Sequence, residues 1–369
     1  MSEVPVMHVK DTVLEAFMKE AFEKLGIPSD EAGIISDVLI TADRRGIDSH
    51  GIGRFKPIYY DRIKRGILSP RTRIDVIKET ATTAVLDGND GMGHVISHRA
   101  MEMAIEKAST QGLGMVAVRN SSHYGIAGYY ATMATEKGMV GITGTNARPS
   151  IAPTFGVENM LGTNPLTIGI PTDEAFDFVL DCATSISQRG KIEKLARENK
   201  DTPEGWVIDR EGRARTDTGG ILEDLVKGRA ALTPLGGIGE ELAGYKGFGY
   251  AVVVEILSAA LQDGRFLKDI TETDEAGNPR PYHLGHFFMA INVNHFIEEK
   301  RFRNIAGKIL RDLRASEKMP GQHSIYTAGE KEYLAWQERK HTGIPVGEVL
   351  LEQMKAVQRE LKMSDYSFL

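Results

Sequence analysis

The sequence predicts a mixed α/β protein with amphipathic helices at both ends of the chain. Three observations carry this reading. Apolar residues recur at helical spacing before about residue 75 and again after about residue 300. Between these limits, short β-rich runs such as Met115-Val116-Ala117-Val118 alternate with helical segments. No strand there leads into the G-x-G-x-x-G turn of a doubly wound nucleotide fold. The expected organisation is a helical domain from residues 1–75 and 300–369, packed around its own core. Residues 76–299 form the α/β domain.

Taken in order, Val13, Leu14, Phe17, Met18, Ala21, Phe22 and Leu25 define a first helix that Gly26 and Pro28 break. Ser29 reads as the N-cap of a second helix, with Asp30 and Glu31 in its first turn and Gly46 at its end. A third helix is expected from about Arg54 to Lys64, and Leu68-Ser69-Pro70 is a turn. Strands follow at Ala84–Leu86, Met115–Val118, Val140–Thr143, Leu166–Ile170 and Phe178–Leu180. Helices at about 94–111 and 129–137 are interleaved with them, and another follows at about 187–199. Residues 201–233 are polar and glycine-rich and read as a long excursion. Gly247 to Leu261 is an apolar helix, Phe287–Ile291 a strand, and the tail from His295 returns to charged helices.

Composition narrows the function classes. The net charge of -6 gives no electrostatic reason to expect a nucleic-acid partner. Cys182 is the single cysteine, so neither an internal disulfide nor a cysteine-based zinc cluster can form, which fits a reducing, cytoplasmic setting. No run of eighteen apolar residues marks a membrane span. The N-terminus lacks the apolar core of a secretory leader, and the C-terminal Asp-Tyr-Ser-Phe-Leu is no lipidation signal.

Three segments concentrate reactive groups. Asp48-Ser49-His50-Gly51-Ile52-Gly53-Arg54 brings a hydroxyl, an imidazole and a guanidinium into one loop, where Arg54 can clamp a carboxylate with two parallel hydrogen bonds. The alternative is a capped helix start with a solvated arginine. Ser121-Ser122-His123-Tyr124-Gly125 places a histidine at the end of a strand, suited to acid/base work near neutral pH or simply bonded to its own turn. Tyr245-Lys246-Gly247-Phe248-Gly249 opens a helix whose free N–H groups and lysine suit a phosphate, unless the glycines only permit close packing. His94 and His98 have i, i+4 spacing but no intervening H-E-x-x-H pattern, so they read as solvated surface histidines and no metal site is expected.

Together these segments resemble the malate/L-lactate dehydrogenase family, which includes ureidoglycolate and sulfolactate dehydrogenases. The resemblance runs in order through Asp48-Ser49-His50-Gly51 with Arg54 and Ser122-His123-Tyr124-Gly125. It continues through Gly162-Thr163-Asn164-Pro165-Leu166, Asp181 with Ala183-Thr184-Ser185, Lys246-Gly247-Phe248-Gly249, Gly285-His286-Phe287-Phe288 and Pro320-Gly321-Gln322. It implies an NAD- or NADP-dependent enzyme acting on a 2-hydroxy or 2-oxo acid. The coenzyme-binding fold would be unrelated to the Rossmann fold, and the enzyme would usually be a homodimer. Carried over by motif, Ser49, His50, Arg54 and His123 line the substrate pocket. Asp181, Cys182, Ala183, Lys246, Met319, Pro320 and Gly321 contact the coenzyme. His123 is favoured as the acid, with His50 a close second. L-Malate and oxaloacetate are the favoured pair, with Arg44, Arg45 and Arg148 as candidates for the distal carboxylate. Lactate, sulfolactate or ureidoglycolate oxidation, cyclic imine reduction, and a fold retained for binding alone stand as alternatives. Two positions depart from the family pattern: Ala147, where some members carry Ser or Thr, and Asn292-Val293 in place of Asp-Pro.

Overall fold

A computed structural model describes residues 6–366 and 368. The extreme ends, on which the leader and lipidation readings partly rest, lie outside the described residues. The chain begins with strand β1 (Val6–Val9), helix α1 (Asp11–Lys24) and helix α2 (Ser29–Arg44). Ser29 is the first helical residue rather than the cap. Pro28 holds the cap position, and the Ser29 hydroxyl donates to Glu23 instead. The third helical stretch is not one regular helix. A 3₁₀ turn (Ile52–Arg54) runs into a π-helical segment (Phe55–Tyr60) and a short α3 (Asp61–Lys64).

The middle of the chain supplies β2 (Asp75–Glu79), β3 (Thr83–Asp87), α4 (Gly93–Gln111), β4 (Leu113–Ser121), α5 (Ala127–Thr135), β5 (Met139–Thr145), β6 (Leu166–Ile170) and β7 (Phe178–Cys182). Next come α6 (Arg189–Arg197), β8 (Val207–Ile208), α7 (Thr218–Val226), β9 (Ala231–Leu232), α8 (Gly244–Ala259) and β10 (Leu284–Asn292). The supposed excursion at 201–233 therefore holds a helix and a small strand pair. Gly219 and Gly220 in the first turn of α7 hide its periodicity. The tail forms α9 (Glu299–Ala315), α10 (Glu330–Thr342), β11 (Ile344–Gly347) and α11 (Glu348–Leu361).

Seven strands form one sheet in the order β2-β3-β4-β10-β5-β6-β7. Only β3 and β4 pair in parallel; the other neighbours are antiparallel. The last strand, β10, sits at the centre, with Phe287 and Phe288 buried on its two faces. The α4 side of the core is built from small residues, including Ala100, Ala104 and Ala108, so helix and sheet approach closely. A Cβ at Gly114 would lie 2.1 Å from the Ala104 carbonyl oxygen, which is why β4 carries a glycine there. On the other face α8 packs so tightly that a Cβ at Gly285 would meet the Ser258 carbonyl oxygen at 1.6 Å.

A second core joins the two ends of the chain. Leu14, Phe17, Phe22, Leu39, Phe55 and Tyr59 share it with Ile344, Val346, Met354 and Val357. The antiparallel ribbon of β1 and β11, with Val6 opposite Gly347 and Val9 opposite Ile344, closes it. Met92 and Val95 at the start of α4 reach into the same core and tie it to the sheet. By contrast, α9 lies along the far sheet edge, where Arg303 and Arg311 pair with Asp177 and Asp173.

Candidate active site

The Asp48–Arg54 loop leaves α2 and faces the end of β4. The Ser49 hydroxyl lies 2.9 Å from His50 Nδ1, and Arg54 Nε donates to the Ser49 carbonyl oxygen at 2.5 Å. Among the described residues, Arg54 has no carboxylate partner. His123 follows β4 directly, and its ring stacks against that of His50 with centroids 5.9 Å apart and planes 17° apart. The turn that holds it is locked from the neighbouring helix. Ser122 Oγ accepts the Gly93 N–H at 2.8 Å and donates to the Gly91 carbonyl oxygen at 2.8 Å.

Tyr59 completes the cluster, and sequence reasoning did not single it out. Its hydroxyl lies 2.5 Å from His123 Nδ1, whereas the bond from the Gly125 N–H to the same nitrogen is long, at 3.4 Å. The π-helical turn gives Tyr59 this direction by widening the helix at a single turn. In the sequence Tyr59 reads as one more apolar residue of a helix, and its ring indeed lies in the core against Phe22. Arg62 lines the same narrow cleft as Tyr59 and His123, where it donates to Glu272 at 2.6 Å and to the Tyr282 hydroxyl at 2.8 Å.

Burial sets the electrostatics. Desolvation, with Arg54 adding to it, pushes His50 down to about 4. His123 is lowered well below the usual histidine range, first by desolvation, then by His50, His94, Arg54 and Arg62. Both rings are therefore neutral at pH 7. His94 departs from expectation. It is fully buried at the start of α4, its ring is 4.7 Å from that of Tyr59, and desolvation lowers it to about 3. It is not a surface histidine, because the N-terminal turn of α4 points into the core shared by the chain ends. Among the described residues, no cluster of His, Cys, Asp and Glu has the makings of a metal site.

The residues expected to meet a coenzyme are spread more widely. Asp181 closes β7 with both oxygens engaged, one by the Gly128 N–H at 2.7 Å and one by the Thr167 hydroxyl at 3.0 Å. It borders a cavity of about 420 Å³ that Arg45 and Trp336 also line. Cys182 is half-buried and Ala183 follows it. Lys246 is exposed near the start of α8. The glycines of that turn have a packing reason, since a Cβ at Gly247 would lie 2.1 Å from the Leu235 carbonyl oxygen. Met319, Pro320 and Gly321 form an exposed turn after α9. From there the chain returns to β7, where Val179 N–H donates to the Ala328 carbonyl oxygen.

Of the three arginines considered for a distal carboxylate, none stands beside His123 in the way Arg62 does. Arg44 is occupied by Asp11 and Glu15 at 2.7 and 2.9 Å. Arg45 donates to Thr132 at 3.0 Å, beside the Asp181 cavity. Arg148 lines a separate cavity with Arg189. Asn292 does the work expected of an aspartate in its turn, because its side chain accepts the Asn294 N–H at 3.1 Å. Ala147 presents only its backbone N–H, bonded to Asn164 Oδ1 at 3.2 Å.

Residues 9–355 match the family model described as malate/L-lactate dehydrogenase. The malate dehydrogenase of Pyrococcus horikoshii is 42% identical over 348 residues, covering 94% of each chain. The L-sulfolactate dehydrogenase of Methanocaldococcus jannaschii is 37% identical, again over 94% of each. Among solved structures, malate dehydrogenase from Entamoeba histolytica superposes with a TM-score of 0.94 at 45% identity, covering 98% of this chain and 99% of that one. From its ordered motifs, its sheet and these likenesses over nearly its whole length, the chain belongs to the malate/L-lactate dehydrogenase family.

Proposed function

We propose that the chain is an NAD- or NADP-dependent dehydrogenase that interconverts a 2-hydroxy acid and a 2-oxo acid, with L-malate and oxaloacetate as its pair. One observation carries the reading. Two neutral imidazoles stack 5.9 Å apart, each with Nδ1 held by a hydroxyl, beside an arginine with no carboxylate partner among the described residues. Such a group can clamp a substrate carboxylate while an imidazole nitrogen faces the hydroxyl that reacts.

The residues suit a nicotinamide coenzyme. Lys246 is an exposed cation beside a helix N-terminus, chemistry that fits a diphosphate. Asp181, Cys182 and Ala183 at the end of β7, with the Met319–Gly321 turn, would supply the remaining contacts. When bound, the coenzyme takes up or supplies the hydride at C2. Arg54 holds the C1 carboxylate through its two terminal nitrogens. In the oxidation direction His123 Nε2 receives the hydroxyl proton as the C2 hydrogen leaves with its electron pair. For Nε2 to receive it, Nδ1 already carries the ring hydrogen and donates it to the Tyr59 hydroxyl. His50, oriented by Ser49, is the second candidate for that proton. Arg62 beside His123 supports a dianionic substrate: the distal carboxylate needs a cation or strong donor and would take the place of Glu272 on that guanidinium.

The mostly antiparallel sheet supports a coenzyme-binding unit of non-Rossmann type, and the core shared by the chain ends supports a separate helical domain. Tyr250, Val253 and Ile256 on the open face of α8, all about half exposed, support a homodimer. Among the described residues no helix is long and apolar enough to cross a membrane, which together with the lone cysteine agrees with a cytoplasmic enzyme. The test is NAD(P)H absorbance with oxaloacetate, pyruvate, 3-sulfopyruvate and a cyclic imine, using wild type and His123→Asn. The expected result is the highest kcat/KM for oxaloacetate and a fall of roughly 10²–10⁴-fold in turnover for the variant. A ratio favouring pyruvate rules out the dianion, and unchanged turnover in both His123→Asn and His50→Asn rules out the mechanism.

A further inference from the structure

We propose that Asp43 and Arg339 are positioning residues for the reaction, holding the Asp48–Arg54 loop so that His50 and Arg54 face the substrate. The proposal rests on the reading of that loop as part of the substrate site. Neither residue belongs to a motif of the loop. One lies in the last turn of α2 and the other on α10, almost three hundred residues further along the chain.

Asp43 is 2% exposed, among apolar residues of α2 such as Leu39, Ile40 and Ala42. Its Oδ2 accepts the Ile52 N–H at 2.8 Å. Gly51 lies flat against the same carboxyl: a Cβ there would fall 1.9 Å from Oδ1 and 2.1 Å from Cγ. The carboxyl thus fixes the backbone immediately after His50 by one bond and one close contact. A buried carboxyl with no such task is costly. Burial pushes Asp43 up to about 8, against the pull of the Ile52 N–H; the Asp48 carboxylate raises it further and Arg339 lowers it. At neutral pH it is an uncharged acid that acts through hydrogen bonding and shape.

Arg339 holds the other end of the loop. Its guanidinium spans both oxygens of Asp48, with Nη2 at 3.0 Å from Oδ2, and it also donates to the backbone carbonyl oxygen of Asp43. Such a two-point contact sets an orientation as well as a distance. The turn leaving α2 closes on the same helix, for a Cβ at Gly46 would meet the Ala335 Cβ at 3.1 Å. Ser49 and His50 therefore lie between two anchors, Asp48 on Arg339 and Gly51-Ile52 on Asp43.

A displaced loop moves His50 and Arg54 together but leaves the coenzyme residues where they are. The signature is a loss in kcat and a rise in KM for the oxo acid, with the coenzyme Kd unchanged. A purely structural contribution would lower Tm and leave the constants of the folded enzyme alone. The experiment measures kcat and KM for oxaloacetate, NAD(P)H Kd by fluorescence, and Tm, in Asp43→Ala, Asp43→Asn, Asp48→Asn and Arg339→Lys. Asp43→Ala is expected to lower kcat/KM about 10- to 100-fold, the scale of an ångström-sized misplacement, with coenzyme Kd within about twofold. Asp43→Asn restores most of that loss, because the amide keeps the volume and the acceptor. Asp48 is exposed, so Asp48→Asn decides the matter even if Asp43→Ala fails to fold. It and Arg339→Lys should each raise KM for the oxo acid, and their combination should be no worse than the poorer single variant. Wild-type kcat/KM in Asp48→Asn and Arg339→Lys overturns the proposal, as does coenzyme Kd weakening in step with KM. So does Asp43→Asn as impaired as Asp43→Ala. Wild-type rates in His50→Asn and Arg54→Lys overturn the reading of the loop itself; impaired rates there beside intact Asp48 and Arg339 variants overturn this proposal alone.

Discussion

Replacing Tyr59 with Phe removes one oxygen atom from the site and almost nothing else. The ring stays in the core against Phe22 and His94, since its packing does not involve the hydroxyl. What is lost is the 2.5 Å contact with His123 Nδ1. In the resting enzyme that contact joins two neutral groups, worth about 0.5–1.5 kcal/mol. Once Nε2 has received a proton, the Nδ1–H belongs to an imidazolium and the bond is charge-assisted, roughly twice as strong. The variant therefore loses about 0.5–1.5 kcal/mol more in the transition state than in the ground state, or roughly 2- to 12-fold in kcat. KM for the hydroxy acid and coenzyme Kd stay close to wild type, because Tyr59 touches neither. Desolvation still holds His123 low in the variant, joined by His50, His94, Arg54 and Arg62. Losing a bond that favours the charged form moves it lower still, so the acid limb of the kcat profile moves to lower pH, not higher. Steady-state kinetics of hydroxy-acid oxidation across pH 5–9, with Tm measured alongside, checks each part. Turnover within twofold of wild type, in a folded variant, would refute the role given to Tyr59.

Arg54→Lys keeps a positive charge but not the planar fork, so KM for oxaloacetate should rise about tenfold or more while coenzyme Kd holds; an unchanged KM removes Arg54 from the site. Lys246→Ala should weaken NAD(P)H by roughly 10- to 150-fold, the worth of a charge-assisted bond to phosphate, and equal Kd values in titration would refute that contact. Asp43, raised from 3.8 to about 8, binds a proton in the folded chain that the unfolded chain has released, so its contribution is complete below about pH 4 and is lost as pH climbs through 8. Chemical denaturation at several pH values should therefore show wild type losing stability relative to Asp43→Asn as pH rises through that window; parallel curves would contradict it.

The parts of the site that were legible in the sequence are those where the reactive group and its turn are adjacent. Ser49-His50-Gly51 and Ser122-His123-Tyr124-Gly125 each carry the histidine and the residue or turn that orients it within a few positions. Tyr59 and Arg62 escaped because the π-helical turn breaks the 3.6-residue register on which face assignments depend. Asp43 escaped because a carboxylate near the end of a helix reads as solvated, and only the returning loop shows it to be enclosed. His94 was misread for a related reason: its spacing from His98 says which residues share a face, not whether that face is covered. The strands β1 and β11 are four residues each and pair across almost the whole chain, so neither gives a local signal. The central strands were read well because each is a continuous apolar run buried on both sides.

The ribbon of β1 and β11 also bears on how the enzyme is made. Leu14, Phe17 and Leu39 emerge from the ribosome roughly three hundred residues before Ile344, Val346 and Met354, which complete their core. At the usual pace of synthesis the first helices wait roughly 15–70 s for these partners. During that time their apolar faces have nothing native to cover them, and closing so long a span is slow in its own right. The sheet can assemble only once β10, its central strand, has been made. Newly made chains should therefore depend on holding chaperones more than a protein of this size with sequential domains, and Tyr59, the residue that reaches from that late core to His123, makes the site one of the last features of the molecule to take shape.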